Sequence, residues 1–174
     1  MLNKVAKFHK VSYEQFEADF CSKCEDYTYS KELIKGYYDN IKLPQRATSG
    51  SAGYDFYAPF HIVLEPNKVI TIPTGIKCEM ENDWFLSILP RSGHGFKYGL
   101  RVINTVGIID SDYINSDNEG HIMIKLINDS AMQQTIDIAA GTGMAQGIFI
   151  PYGITVDDNV ENVRNGGFGS TDMK

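Results

Sequence analysis

The rhythm of apolar and polar positions changes twice along the 174-residue chain. Lys4 to Val11 is rich in Val and Phe and reads as a first strand. From Ser12 the period lengthens: Tyr13, Phe16, Phe20 and Cys24 fall on one helical face, and Ser12 with Gln15 three residues later has the form of a capping box. Ser30 is a second N-cap candidate, ahead of the stripe Leu33, Ile34, Tyr37, Tyr38 and Ile41, which continues despite Gly36. The pattern predicts two short helices between Ser12 and Ile41.

From Leu43 onward the texture is β, with short runs of Val, Ile, Phe and Tyr punctuated by Gly, Pro and Asn. Ile76, Cys78 and Met80 alternate with Lys77, Glu79 and Glu81, the signature of a half-buried strand. Further strands are expected over residues 68–72, 84–89, 121–127 and 144–151. Such a series predicts an all-β barrel or jelly-roll sandwich. There is no internal repeat, low-complexity tract or linker. Residues 1–174 therefore read as one domain, with 12–41 as a helical insertion near the N-terminus.

Charge narrows the range of ligands. A net charge of -6 and a pI near 5.1 argue against broad binding of nucleic acid or anionic membranes, because the long-range field repels a polyanion. A small anionic ligand needs local cations or a metal. The three cysteines are an odd number, and the opening residues Met1 to Lys7 lack the apolar run of a signal peptide, which predicts a reducing, cytoplasmic setting. No apolar run approaches the roughly 20 residues of a membrane span. Cys21-x-x-Cys24 has no second pair to complete a four-ligand zinc site, so packing on a helix is expected of it.

Chemistry-bearing side chains concentrate in a few stretches. Between Arg101 and Tyr113 an amide (Asn104), two carboxylates (Asp110, Asp112) and a phenol (Tyr113) surround Gly107. Val106, Ile108 and Ile109 favour strands, and Gly107 permits a bulge or close backbone approach, so residues 104–113 read as a β-hairpin whose backbone faces a ligand. Asp110 follows two aliphatics, where partial desolvation would tune a general base. Taken alone, Asp-Ser-Asp also reads as a surface turn.

Pro90 to Leu100 sets Arg91, Ser92 and Lys97 among three glycines, a set of donors suited to phosphate or simply a glycine-rich loop. Arg164 to Thr171 repeats the theme around Phe168, as an arm that folds over a base or as a frayed terminus. Residues 47–58 and 141–147 each pass for a turn leading into a strand.

In this order the five stretches resemble the five motifs of the trimeric dUTPases (dUTP diphosphatases), from about Leu43 to Thr171. The resemblance implies a distorted jelly-roll subunit, a homotrimer whose active sites each draw on three chains, and Mg²⁺-assisted cleavage of dUTP to dUMP and pyrophosphate. It implies that Asp110 is the general base. Asn104 and the hairpin backbone at Gly107 and Ile109 would read uracil, and Tyr113 would pack against the deoxyribose and exclude a 2′-hydroxyl. Asp55 matches the carboxylate of the metal site. Arg91, Ser92, Gly93 and Gln146 match phosphate contacts. Arg164, Phe168, Gly169, Ser170 and Thr171 match the mobile fifth motif, with Phe168 over uracil.

The chain departs from the family pattern in several places. Thr142 and Gly143 stand where the fourth motif usually has an acidic residue and an arginine. The fifth motif is one residue shorter after Arg164 and ends in Asp172. Residues 114–119 look inserted after Tyr113. The related dCTP deaminases need a glutamate base, and Asp110 matches the diphosphatase position instead. An alternative reading is a nucleotide-sensing regulatory protein that binds a protein partner through the 12–41 and 114–119 insertions.

Overall fold

The computed structural model describes residues 3–24, 29–162 and 164. Among these the fold is mostly β, with antiparallel sheets and helices near the N-terminus. Strand β1 (Ala6–Lys10) precedes α1 (Tyr13–Lys23) and α2 (Lys31–Asp39). There follow β2 (Gln45–Arg46), β3 (Tyr54–Tyr57), β4 (Ile62–Leu64), β5 (Val69–Pro73), β6 (Ile76–Met80) and β7 (Trp84–Pro90). A short helix α3 (Ser92–Tyr98) leads to β8 (Leu100–Val102) and β9 (Gly107–Ile109); β10 (Met123–Asn128), β11 (Ile136–Ile138) and β12 (Gly143–Pro151) complete the series.

Both predicted helices form where their caps stand. Ser12 Oγ accepts the Gln15 amide at 3.1 Å, and Ser30 Oγ accepts the Leu33 amide at 3.3 Å. The capping box does not close reciprocally: Gln15 Nε2 donates to Asp19 Oδ2, and Glu119 takes the Ser12 amide instead. Cys24 is the C-cap of α1 and still packs against the core with Tyr13, Phe16 and Phe20.

Phe16 and Phe20 carry the buried face of α1, and Phe20 meets Phe60 edge-on with ring centroids 5.4 Å apart. Each such ring stabilises the packing by about 2–3 kcal/mol through apolar area removed from water. The cysteines are free thiols; burial pushes Cys24 up to about 11 and Cys78 up to about 12, which keeps both as inert thiols.

The largest sheet has the order β2-β3-β12-β7-β9, and β5-β10-β8 forms a second. Two strand pairs, β1-β6 and β4-β11, complete the described β-structure, and every ladder is antiparallel. One core cluster runs from Val11, Phe16 and Ile34 through Phe56, Leu86 and Ile88 to Ile124, Leu126 and Met144. Among the described residues no helix is long and apolar enough to cross a membrane.

Two expectations require correction. Residues 104–113 are not a hairpin: β8 pairs with β10 in one sheet and β9 pairs with β7 in another, so the intervening turn crosses between sheets. Gly107 does permit close approach, but to Ile88 of β7, whose Cβ would lie 3.1 Å from a Cβ built at Gly107. The glycine-rich stretch after Pro90 is not an open loop, because residues 92–98 form α3. Gly99 ends that helix with φ of 67° and lies so close to Asp129 that a Cβ would come within 2.8 Å of the Asp129 carbonyl oxygen.

Candidate active site

Strand register assembles the first half of the site. Gln146 of β12 lies opposite Asp55 of β3 on one side and Leu89 of β7 on the other, just before Arg91 leaves the end of β7. The Arg91 guanidinium bridges strands: Nε pairs with Asp55 Oδ1 at 2.9 Å, and Nη1 donates to the Gly143 carbonyl at 3.1 Å. Gly143, where the resemblance led us to expect an arginine, is the residue that admits this pose. A Cβ there would stand 2.7 Å from Arg91 Nη1.

Gln146 Nε2 donates to the Pro90 carbonyl at 3.0 Å, and its amide oxygen lies against Gly53, where a Cβ would approach to 2.5 Å. The resulting cleft of about 780 Å³ is lined by Gly53, Asp55, Arg91, Ser92, Gly93 and Gln146, together with His94 and Lys97. A neighbouring cavity of about 1000 Å³ contains none of the candidate site residues.

His94 was missed in the sequence, because no spacing marks it. Burial, and then the charge of Arg91, push its pKa down, so the ring is neutral in a cleft whose positive charge comes from Arg91 and Lys97. Lys97 stood in the predicted phosphate stretch, and its ammonium lies 4.9 Å from the centre of the Tyr98 ring.

Among the described residues no group of three or more His, Cys, Asp or Glu side chains could hold a metal ion. Asp55, already paired with Arg91, offers a single hard oxygen. That donor set fits only an ion whose other ligands are phosphate oxygens and water.

The second half of the site gathers at the end of β9. Asp110 follows the buried Ile109, and its side chain, 51% exposed, lies beside a positive charge. Arg164 supplies that charge: its Nη2 pairs with Asp110, its Nε donates to Asp112 at 2.8 Å, and its guanidinium lies 5.8 Å from the centre of the Tyr113 ring.

Tyr113 is buried in a 3₁₀ turn (Ser111–Asn115). Asn104 is exposed in the turn before β9, where Thr105 takes a positive φ of 67°. Neither Asn104, Asp110 nor Tyr113 lines the cleft of Asp55, Arg91 and Gln146, so the structure divides the candidate residues into two groups. Phe168, Gly169, Ser170 and Thr171 lie outside the described residues.

The sequence profile described as dUTPase matches residues 39–172. The chain belongs to the dUTPase family. It is 40% identical over 144 residues to the deoxyuridine 5′-triphosphate nucleotidohydrolase of Lactococcus lactis, a match covering 80% of this chain and 95% of that one. The dUTPase structure from Streptococcus mutans superposes with a TM-score of 0.62 at 32% identity, covering 87% of this chain and 98% of its own. The dUTPase of phage phi11 of S. aureus, at 20% identity and a TM-score of 0.62, covers 96% of this chain and 99% of its own and shares the fold. In this dUTPase-family chain β1, α1 and nearly all of α2 precede the matched residues.

Proposed function

We infer that Asp110 is the general base of the dUTP nucleotidohydrolase reaction carried out by this chain. The observation that supports it is the placement of Arg164, 54 residues away in sequence, on Asp110 and Asp112 beside Tyr113. Asp110 accepts a proton from water as the water oxygen bonds to the α-phosphorus. The bond from that phosphorus to the oxygen bridging to the β-phosphate breaks, and dUMP and pyrophosphate leave.

Arg91, Ser92, Gly93 and Gln146 bind the phosphates, joined by Lys97. Asn104 with the backbone at Gly107 and Ile109 reads the uracil edge, Tyr113 walls off the sugar, and residues 168–171 with Arg164 close over the nucleotide. Asp55 would be the protein carboxylate available to a Mg²⁺ ion, which when bound would offset triphosphate charge. Arg164 moves from the two carboxylates to the phosphates as substrate enters, which frees Asp110 to take the proton.

The separation of the phosphate cleft from Asp110, Asn104 and Tyr113 within one chain supports a distorted jelly-roll subunit of a homotrimer, with each site completed by neighbouring chains. We read residues 1–174 as one domain, with 12–41 as a helical insertion and 164–174 as the arm. The free thiols support a reducing, cytoplasmic setting. The partner-binding alternative gains little from residues 114–119, since Asn118 and Glu119 are engaged inside the chain, with Tyr113 and with Ser12 and Lys77.

Pyrophosphate release from dUTP, dCTP, dTTP and UTP tests the assignment, with turnover expected for dUTP far above the others. No release from dUTP with Mg²⁺ present would refute it. For the shared site, an Asp110→Asn chain and a chain ending at Val163 are co-refolded in equal amounts. Random closed trimers are mixed about three times in four, and about a quarter of all sites should regain activity if base and arm come from different chains. No recovery despite confirmed mixing would place them on the same chain.

A further inference from the structure

The helix α1 lies outside the residues that the dUTPase sequence profile matches, yet it is wired to the wall of the nucleoside site. Tyr113 is 5% exposed, and its hydroxyl donates to the His121 carbonyl at 3.0 Å. Asn118 Nδ2 bonds both that hydroxyl, at 3.0 Å, and the same carbonyl, at 3.3 Å. The His121 ring is fully buried and held from two sides. Its Nε2 accepts the Gly75 amide at 2.7 Å, and since a backbone N–H can only donate, the ring proton lies on Nδ1. Nδ1 then donates to Asp19 Oδ2 of α1 at 2.6 Å.

Gln15 Nε2 steadies the same Asp19 oxygen at 2.8 Å, and the Phe16 ring centroid lies 6.1 Å from that of His121. One residue therefore carries both ends of the link: its ring is clamped by α1 and by the β5–β6 turn, and its carbonyl fixes the tyrosine hydroxyl.

We propose that Asp19 and His121 are positioning residues for Tyr113, and that α1 thereby sets how sharply the site distinguishes deoxyribose from ribose. This rests on the reading of Tyr113 as the sugar wall. A wall rejects a hydroxyl only as far as it cannot yield, and a displacement of about 1 Å is enough to change the fit of a reacting substrate. Asp19 touches neither substrate nor reacting atoms. Its effect passes through the imidazole orientation to the carbonyl and then to the phenol.

The test uses the full chain, with kcat and KM for dUTP and UTP from pyrophosphate release and Tm measured alongside. Asp19→Ala should lower the dUTP-to-UTP ratio of kcat/KM by about fivefold, the equivalent of one hydrogen bond. Asp19→Asn keeps an oxygen to accept Nδ1–H and should restore the ratio. Tyr113→Phe cuts the last link without touching α1, so it should cause a drop of the same size. The double variant should fall no further than either single one.

A fall in Tm or in turnover on both substrates with the ratio intact would make Asp19 merely structural and overturn the proposal. If Asp19→Ala does not fold, Tyr113→Phe decides: an unchanged ratio refutes the link. Tyr113→Ala separates the two levels. If it abolishes discrimination while Asp19→Ala and Tyr113→Phe do not alter it, the wall stands and the brace fails. If it too leaves the ratio unchanged, the assignment of Tyr113 itself is wrong.

Discussion

Glu119→Gln probes the junction between residues 114–119 and the N-terminal helices. Glu119 sits at a positive φ of 57°, which a glutamate adopts only under outside constraint. Its Oε1 accepts the Ser12 hydroxyl at 2.5 Å; Oε2 accepts the Ser12 amide at 3.0 Å and the Lys77 ammonium at 2.9 Å. The Ser12 hydroxyl, then Lys77, hold the carboxyl down at about 2 against an ordinary 4.5.

At about 1.4 kcal/mol per pH unit that depression sets a ceiling of roughly 3 kcal/mol. The side chain is 34% exposed, and solvent screening reduces the contribution to about 1–2 kcal/mol. Because the folded-state value is depressed, this stability is fully present above 4.5 and is lost as the pH falls from 4.5 toward 2. Glutamine keeps the shape but sets an N–H₂ against donors already in place, so the variant lacks the contribution at every pH.

Urea denaturation of both proteins at one fixed concentration should give a gap of about 1–2 kcal/mol at neutral pH that narrows steadily below about pH 4. A gap that is the same at pH 7 and pH 3 would refute the pKa assignment. No gap at all would show that Ser12 and Lys77 are satisfied by water as well as by the carboxylate.

Asp110→Asn should lower kcat by roughly 10²–10⁴-fold with dUTP binding nearly intact, read from steady-state rates and from equilibrium binding; a loss under about tenfold would move the base to another residue. Arg91→Lys keeps the charge but not the fork that reaches Asp55 and Gly143 together, so KM for dUTP should rise about tenfold with the fold intact by circular dichroism. Gly147→Ala would set a methyl 2.8 Å from Leu86 Cδ1 and 2.9 Å from Phe56 Cε2, both deep in the core. Overpacking of this kind should destabilise by about 1–3 kcal/mol, visible as a lowered Tm.

Local chemistry was enough to place much of this chain. Ser12 and Ser30 cap the helices that their stripes predict, and the alternation at Ile76, Cys78 and Met80 marks β6, because caps and period-2 patterns act over a few residues. The ordered motifs carried the family, and they named Asp55, Arg91 and Gln146 before strand register brought them together.

What lay beyond the sequence was decided by contacts between distant segments. The strands flanking Asn104 join different sheets because β10 and β7 compete for them, and no turn signal records which partner wins. Gly93 and Gly95 argue for a loop, yet residues 92–98 form α3, which Gly99 ends by turning close against Asp129. Glu119 and Asp19 look like surface carboxylates in sequence. They become structural only because folding brings Ser12, 107 residues away, to one of them, and His121, 102 residues away, to the other, and a hydrogen bond between groups so far apart leaves no periodicity to read.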